Sequence, residues 1–199
     1  MRLILVRHPA TRIAAGVCYG SSDIAVEPTA LNAALITLAA TLPPAASSPL
    51  PIYSSPLQRC TALSTMLAAQ RGMPPPRLDA RLAEMDFGAW ELQPWEHIAR
   101  ADIDAWAADL CGYAPGGGET VLQVATRVAA FVDAFRGDNV AVNDAIVVCH
   151  AGTIRLLTAL QQAMLQGAKI TNGTLAEVAL RAAATAHHID YAGTVSLQF

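Results

Sequence analysis
The chain has 199 residues, enough for one well-cored domain and short for two. Apolar residues make up 53% and charged residues 15%, which excludes a disordered, tail-like protein. The net charge of −3, with one Lys (Lys169) against 12 Arg and no basic block, argues against a nucleic-acid partner.

The first element is a short apolar run, residues 2–6, that reads as a buried strand delivering Arg7 and His8 at its C-terminal end. Pro9 cannot continue a central strand, so a loop begins there. No long apolar segment or small-residue cleavage site follows, so no signal peptide is expected and a cytoplasmic location is. Residues 29–42 are Ala/Leu-rich with helical spacing, closed by Pro43 and Pro44. The longest apolar stretches, such as residues 33–42, fall well short of the ~20 residues a membrane span needs, and no membrane association is expected. After a Pro/Ser/Ala-rich loop, residues 51–54 form a second short strand. Ser55 and Pro56 then offer an N-cap and a first helical position, for a helix that runs to about Arg71.

Residues 95–110 and 119–135 read as helices, separated by the Gly-rich loop at 115–118, with Glu119 and Thr120 capping the second. Residues 145–149 (AIVVC) form the clearest strand, apolar throughout as a doubly covered parallel strand is, and it delivers His150. Gly152 opens a further helix to about Gln166. Residues 175–180 and 187–191 alternate in the manner of final strands. Strands and helices in alternation imply an α/β fold: a single domain over residues 1–199, with a mostly parallel central sheet flanked by helices in three layers. In such sheets the site lies at the carboxyl ends of the strands, which puts His8, the Ser54–Ser55 turn and His150 along one edge.

Hydrolysis of a phosphate monoester without a metal needs positive charge around the phosphoryl oxygens, an in-line nucleophile and an acid for the leaving alkoxide. Arg7 and Arg59 could grip a phosphate in bidentate fashion. The N–H groups of Ala151 and Gly152, at a helix start, would add donors. Which histidine attacks is not decided by spacing. His8 could be fixed by a backbone carbonyl at Nδ1 with Nε2 free, and His150 would better serve as a charged donor. Singly, each strand-end histidine also reads as structural and Arg59 as a solvated helix residue; the joint pattern favours phosphate chemistry. The four cysteines (Cys18, Cys60, Cys111, Cys149) form no CxxC pair, and His187-His188 is the one close pair of ligand type. Gly116-Gly117-Gly118 lacks the following GK[ST] of a phosphate loop. No metal and no cofactor are expected.

The segments LVRHPAT, YSSPLQRC, LAEMDFGAWE and VVCHAGTIR, in this order over residues 3–155, resemble the histidine phosphatase superfamily, also called phosphoglycerate mutase-like. The resemblance implies that family's α/β fold, a phosphohistidine intermediate and no metal. It assigns His8 as the phosphorylated nucleophile, Arg7 and Arg59 as phosphate-binding residues, His150 as the second histidine and Glu84 as the proton donor. Apart from the resemblance, Glu84 stands level with Asp86 and Glu91. An alcohol leaving group does need a proton, which a carboxyl partly removed from water beside a phosphate can supply.

Three positions depart from the family pattern: RHP replaces RHG, Ala10 stands for an acidic residue, and Ala14 occupies the region where an Asn is expected. Pro9 has no N–H to offer a phosphate. Thr11, Gly20 and Ser21 are candidate replacement donors. The segments VCYGSSD, FGAWELQPWEHI and PGGGET are similar to the α-ribazole phosphatase branch, which acts late in cobalamin synthesis. The expected partners are a small-molecule phosphate ester and the inorganic phosphate product, and a homodimer is an open assembly. A broad small-molecule phosphatase, a mutase and a catalytically silent phosphate binder are the other readings. Glu84 speaks against the last, since a pure binder needs no proton donor.

Overall fold
The computed structural model describes residues 1–45, 49–138, 144–185 and 188–199. Its elements, in chain order, are β1 (Arg2–Arg7), α1 (Pro28–Thr41), β2 (Ile52–Ser54), α2 (Gln58–Gln70), β3 (Arg77–Leu78), α3 (Arg100–Ala108), α4 (Val121–Asp138), β4 (Asp144–Cys149), α5 (Ala151–Leu165), α6 (Asn172–Ala184) and β5 (Thr194–Gln198). Single 3-10 turns occupy Ala80–Leu82, Gly88–Trp90, Trp95–His97 and Pro115–Gly117. Among the described residues, no helix is long and apolar enough to cross a membrane.

The strands form one sheet in the order β3-β2-β4-β1-β5, parallel except for β5, which runs antiparallel to β1. β1 and β4 lie at its centre and are apolar on both faces, because each face is covered by helices. Alternate residues therefore enter different cores. Leu3, Leu5, Val147 and Cys149 pack with Val128, Phe131, Ile154, Leu157 and Val178 from α4, α5 and α6. Ile4, Val6, Ile146 and Val148 pack with Leu38, Leu63 and Leu67 from α1 and α2. Burial of each such side chain contributes about 1.5–3 kcal/mol. This is the three-layer α/β/α architecture. A third, smaller cluster of Cys18, Trp90 and Ile98, with Phe87, Trp106 and Tyr113 packed on it, supports the loops over one end of the sheet.

Several local expectations are corrected. Residues 175–180 belong to α6, not to a strand. Leu175, Val178, Ala179 and Ala182 are its buried residues, spaced i, i+3, i+4, i+7, and the Thr171 hydroxyl caps it by accepting from the Thr174 N–H. Residues 188–191 form no strand and His187 lies outside the described residues; the last strand is β5, at 194–198. The helix expected over 95–110 is split into the Trp95–His97 turn and α3. The N-cap of α2 is Leu57 rather than Ser55. α4 begins with a reciprocal pair: Thr120 Oγ1 accepts from the Gln123 N–H at 3.1 Å, and Gln123 Oε1 accepts from the Thr120 N–H at 2.7 Å. Glu119, expected to share in that cap, instead pairs with Arg127.

Candidate active site
The sheet register assembles the site. Arg7 pairs with Cys149 and Ser54 with Val148, so the residues just past three strand ends, His8, His150 and Ser55, emerge together. The His8 N–H donates to the Cys149 carbonyl at 3.0 Å and the Ser55 N–H to the Val148 carbonyl at 3.0 Å, which carries the alignment one residue beyond the strands. The two imidazole centroids stand 5.2 Å apart.

His8 is buried, and its Nδ1–H donates to the Pro9 carbonyl at 2.7 Å. A carbonyl can only accept, so Nε2 carries the lone pair. Burial, with the guanidiniums of Arg59 and Arg7 adding to it against the opposing pull of the Pro9 carbonyl, lowers the His8 pKa to about 3. The imidazole is thus neutral at neutral pH. Pro9, which removes an N–H, supplies the carbonyl that sets this tautomer.

Arg59 is fully buried on the first turn of α2. It donates to the Ser22 carbonyl at 2.7 Å, to the Gly20 carbonyl, and from Nε to His150 Nδ1 at 3.2 Å. Of its five N–H groups, three are committed by these bonds and two remain. Because Arg59 donates to Nδ1, the His150 proton sits on Nε2, which donates to Ser55 Oγ at 2.8 Å. Burial, reinforced by Arg59, holds the His150 pKa well below its ordinary value. His150 is therefore a neutral imidazole here, not the charged donor expected of it. Arg7 donates from Nη1 to the Ile189 carbonyl and lies over the Tyr191 ring, 3.9 Å from its centroid. Its Nε is buried without an acceptor among the described residues.

Glu84 lies beside the start of α5. Its carboxyl oxygens accept from the Met85 N–H and the Gly152 N–H, each at 3.1 Å. A Cβ on Gly152 would stand 2.4 Å from Glu84 Oε1, so a side chain there would push the carboxyl group aside. Arg127 fixes the segment from behind, donating to the carbonyls of Arg81 (2.9 Å), Ala83 (2.7 Å) and Glu84 (3.2 Å) while paired with Glu119 at 2.9 Å. From Glu84 a cleft of about 320 Å³ opens along Ala151, Gly152, Tyr19, Phe87 and Trp106.

Three expected phosphate donors are otherwise engaged. The Gly20 and Ser21 N–H groups donate to the Glu91 carboxylate at 3.0 and 2.9 Å, and the Gly152 N–H serves Glu84. Thr11 is buried and paired through its backbone with Val26, at the base of the loop that carries residues 20–22. Ala151 opens α5 and lines the cleft. Glu91, which the sequence alone sets level with Glu84, organises that loop. Burial works to raise its pKa, but bonds from Ser22, Phe87, Gly20 and Ser21 hold it below the usual carboxylate range. A Cβ at Gly20 would stand 1.9 Å from the Met85 carbonyl, so the loop passes there only as glycine. Tyr191 and Arg127 carry no motif and escape sequence reading, whereas Ser55, part of the Ser54–Ser55 turn expected along the site's edge, accepts from His150. Among the described residues no three His, Cys, Asp or Glu side chains converge to share a metal ion.

Solved structures of similar fold include a mycobacterial glucosyl-3-phosphoglycerate phosphatase, 24% identical with a TM-score of 0.72 over 98% of this chain and 88% of that one. A putative α-ribazole-5′-P phosphatase from Escherichia coli is 23% identical, with a TM-score of 0.74 over 98% and 89%. The protein TTHB049 from Thermus thermophilus is 26% identical, with a TM-score of 0.65 over 100% and 94%. No curated protein matches the sequence. The sequence profile of the histidine phosphatase superfamily (branch 1) matches residues 3–190, nearly the whole chain. With its strand-end histidines and arginines so arranged, the chain belongs to the histidine phosphatase superfamily and is an enzyme acting on phosphate esters.

Proposed function
We propose that the protein is a phosphomonoesterase that passes the phosphoryl group through His8 without a metal, and that its substrate is a small phosphorylated metabolite, α-ribazole 5′-phosphate being favoured. The observation that carries this reading is the His8 tautomer: Nδ1–H tied to the Pro9 carbonyl and Nε2 unprotonated beside two guanidiniums.

In the first half-reaction the Nε2 lone pair attacks phosphorus as the ester P–O bond breaks. The departing alcohol oxygen takes the Glu84 carboxyl proton. Arg7 Nε and the remaining Arg59 N–H groups receive the nonbridging oxygens. The imidazole becomes cationic on phosphorylation, and the Pro9 carbonyl at Nδ1 stabilises that charge. In the second, water gives a proton to Glu84 and attacks phosphorus, the N–P bond breaks, and inorganic phosphate leaves. His8 is again neutral and Glu84 again protonated. The VCYGSSD and FGAWELQPWEHI segments support the α-ribazole branch.

The test is phosphate release in EDTA from α-ribazole 5′-phosphate, 3-phosphoglycerate and p-nitrophenyl phosphate, with His8→Ala alongside and acid-labile phosphohistidine trapped by rapid quench. Preference for the first substrate with a trapped intermediate, both lost in the variant, is the expected result. Undiminished turnover by His8→Ala would refute the nucleophile, and preference for 3-phosphoglycerate would refute the substrate.

A further inference from the structure
The walls of the cleft beyond Glu84 have a specific chemistry. Phe87 and Trp106 meet edge to face with centroids 5.9 Å apart and, with Leu156, give it an apolar, aromatic lining. Arg155 lies one helical turn beyond Ala151 and Gly152, on the face of α5 that borders the same cleft. Two donors in these walls have nothing to donate to: Trp106 Nε1 and Arg155 Nε are buried and find no acceptor among the described residues. A buried donor left unpaired is costly, and buried indole N–H groups ordinarily find a partner.

We propose that this cleft is the leaving-alcohol subsite and that Trp106 and Arg155 determine specificity in it, selecting phosphomonoesters whose alcohol carries a flat apolar body with a hydrogen-bond acceptor on it. The proposal rests on the phosphatase reading above and names the substrate class of that same site. A polyol is poorly matched, because it offers no apolar face to the Phe87–Trp106 wall. An aromatic ring with a ring nitrogen or carbonyl lies against the Phe87–Trp106 wall, and a small turn of the Trp106 and Arg155 side chains brings their enclosed N–H groups onto its acceptor. One N–H from each residue suits single acceptor atoms better than the two-pronged grip a carboxylate takes from arginine.

The experiment compares kcat/KM for naphthylmethyl phosphate, its quinolinylmethyl isomers, which replace one ring CH by nitrogen, and carboxynaphthylmethyl phosphate. It uses the wild type, Arg155→Met and Trp106→Phe. The wild type is expected to favour at least one quinoline isomer over the carbocycle by about tenfold, the scale of one buried hydrogen bond. That preference, carried mainly by KM, is expected to disappear in Arg155→Met or Trp106→Phe. Equal kcat/KM for the carbocycle and every quinoline isomer in the wild type overturns the proposal, and needs no variant to fold. A preference for the carboxylate alone overturns the neutral-acceptor assignment. A quinoline preference undiminished in both variants removes these residues from it. Turnover of the carbocycle without discrimination defeats this proposal and leaves the phosphatase reading standing, whereas no turnover of any ester, with none of p-nitrophenyl phosphate, defeats both.

Discussion
The Nε of Arg59 donates to Nδ1 of His150 at 3.2 Å, so one residue proposed to face the phosphate also decides which nitrogen of the other bears a proton. The same guanidinium holds the Gly20 and Ser22 carbonyls. A lysine would keep the charge, yet its single ammonium cannot serve a ring nitrogen and two carbonyls in one plane. Arg59→Lys is expected to lower kcat about 10²–10³-fold, the range seen when one preorganised donor is removed. Steady-state kinetics on p-nitrophenyl phosphate checks it, and a loss under fivefold would show that charge alone suffices.

Two buried neutral histidines make stability depend on pH. The unfolded chain protonates them near pH 6.5, while the folded His8 resists protonation down to about pH 3. The unfolded state therefore binds more protons between those values. The contribution is complete above about pH 6.5 and is lost as pH falls. For His8 alone the loss is about 2 kcal/mol at pH 5, or about 4–8 °C in Tm for a chain of this size. Thermal melts of wild type and His8→Asn at pH 7.5 and 5 test this, with a smaller acid shift expected in the variant. Equal shifts would mean that His8 is not held neutral by the fold.

Glu84 is fixed by two backbone N–H groups and backed by Arg127. Glu84→Gln is expected to slow alkyl phosphates at least 10²-fold and p-nitrophenyl phosphate far less, since a nitrophenolate leaves without a proton. The measurement is the slope of log kcat/KM against leaving-group pKa, which steepens in the variant; an unchanged slope would take the proton-donor role from Glu84.

Glu91 binds the N–H groups of Gly20, Ser21 and Ser22, the loop whose carbonyls hold Arg59. Glu91→Gln cannot accept from all of them with both side-chain atoms. It is expected to raise KM for phosphate esters about tenfold, with the Glu84-dependent leaving-group slope unchanged. A variant whose kcat falls at constant KM would speak against this positioning role.

The strand ends were legible because β1 and β4 are apolar runs broken abruptly by Arg7-His8 and by His150, a pattern with one physical reading in a parallel sheet. Residues 175–180 mislead because LAEVAL is apolar but for Glu177, and so short an apolar run suits a strand as well as a helix. Leu175, Val178 and Ala179 already follow the helical spacing, and Ala182, a turn further on, extends it. Arg7, His8, Arg59, Glu84 and His150 were nominated by residue type and motif, and the structure brings them to one end of the sheet. The N–H groups of the expected donors Gly20, Ser21 and Gly152 are engaged elsewhere for a shared reason. A nearby carboxylate competes for each N–H, and no sequence pattern tells which loop lies under which carboxylate. Tyr191 rests on Arg7 only because β5 turns back beside β1, a pairing between opposite ends of the chain.

The central β1–β4 pairing joins Arg2 to Asp144, 142 positions away, and His8 acquires its neighbour His150 only when that ladder closes. Closing so long a loop is entropically slow, and contacts of this kind dominate the folding time of a domain. A refolding chain would recover its helical signal well before its chemistry. The interval between the two is when Val6 and Val148, bound for the centre of the sheet, stand uncovered, and it is then that the chain is most open to aggregation.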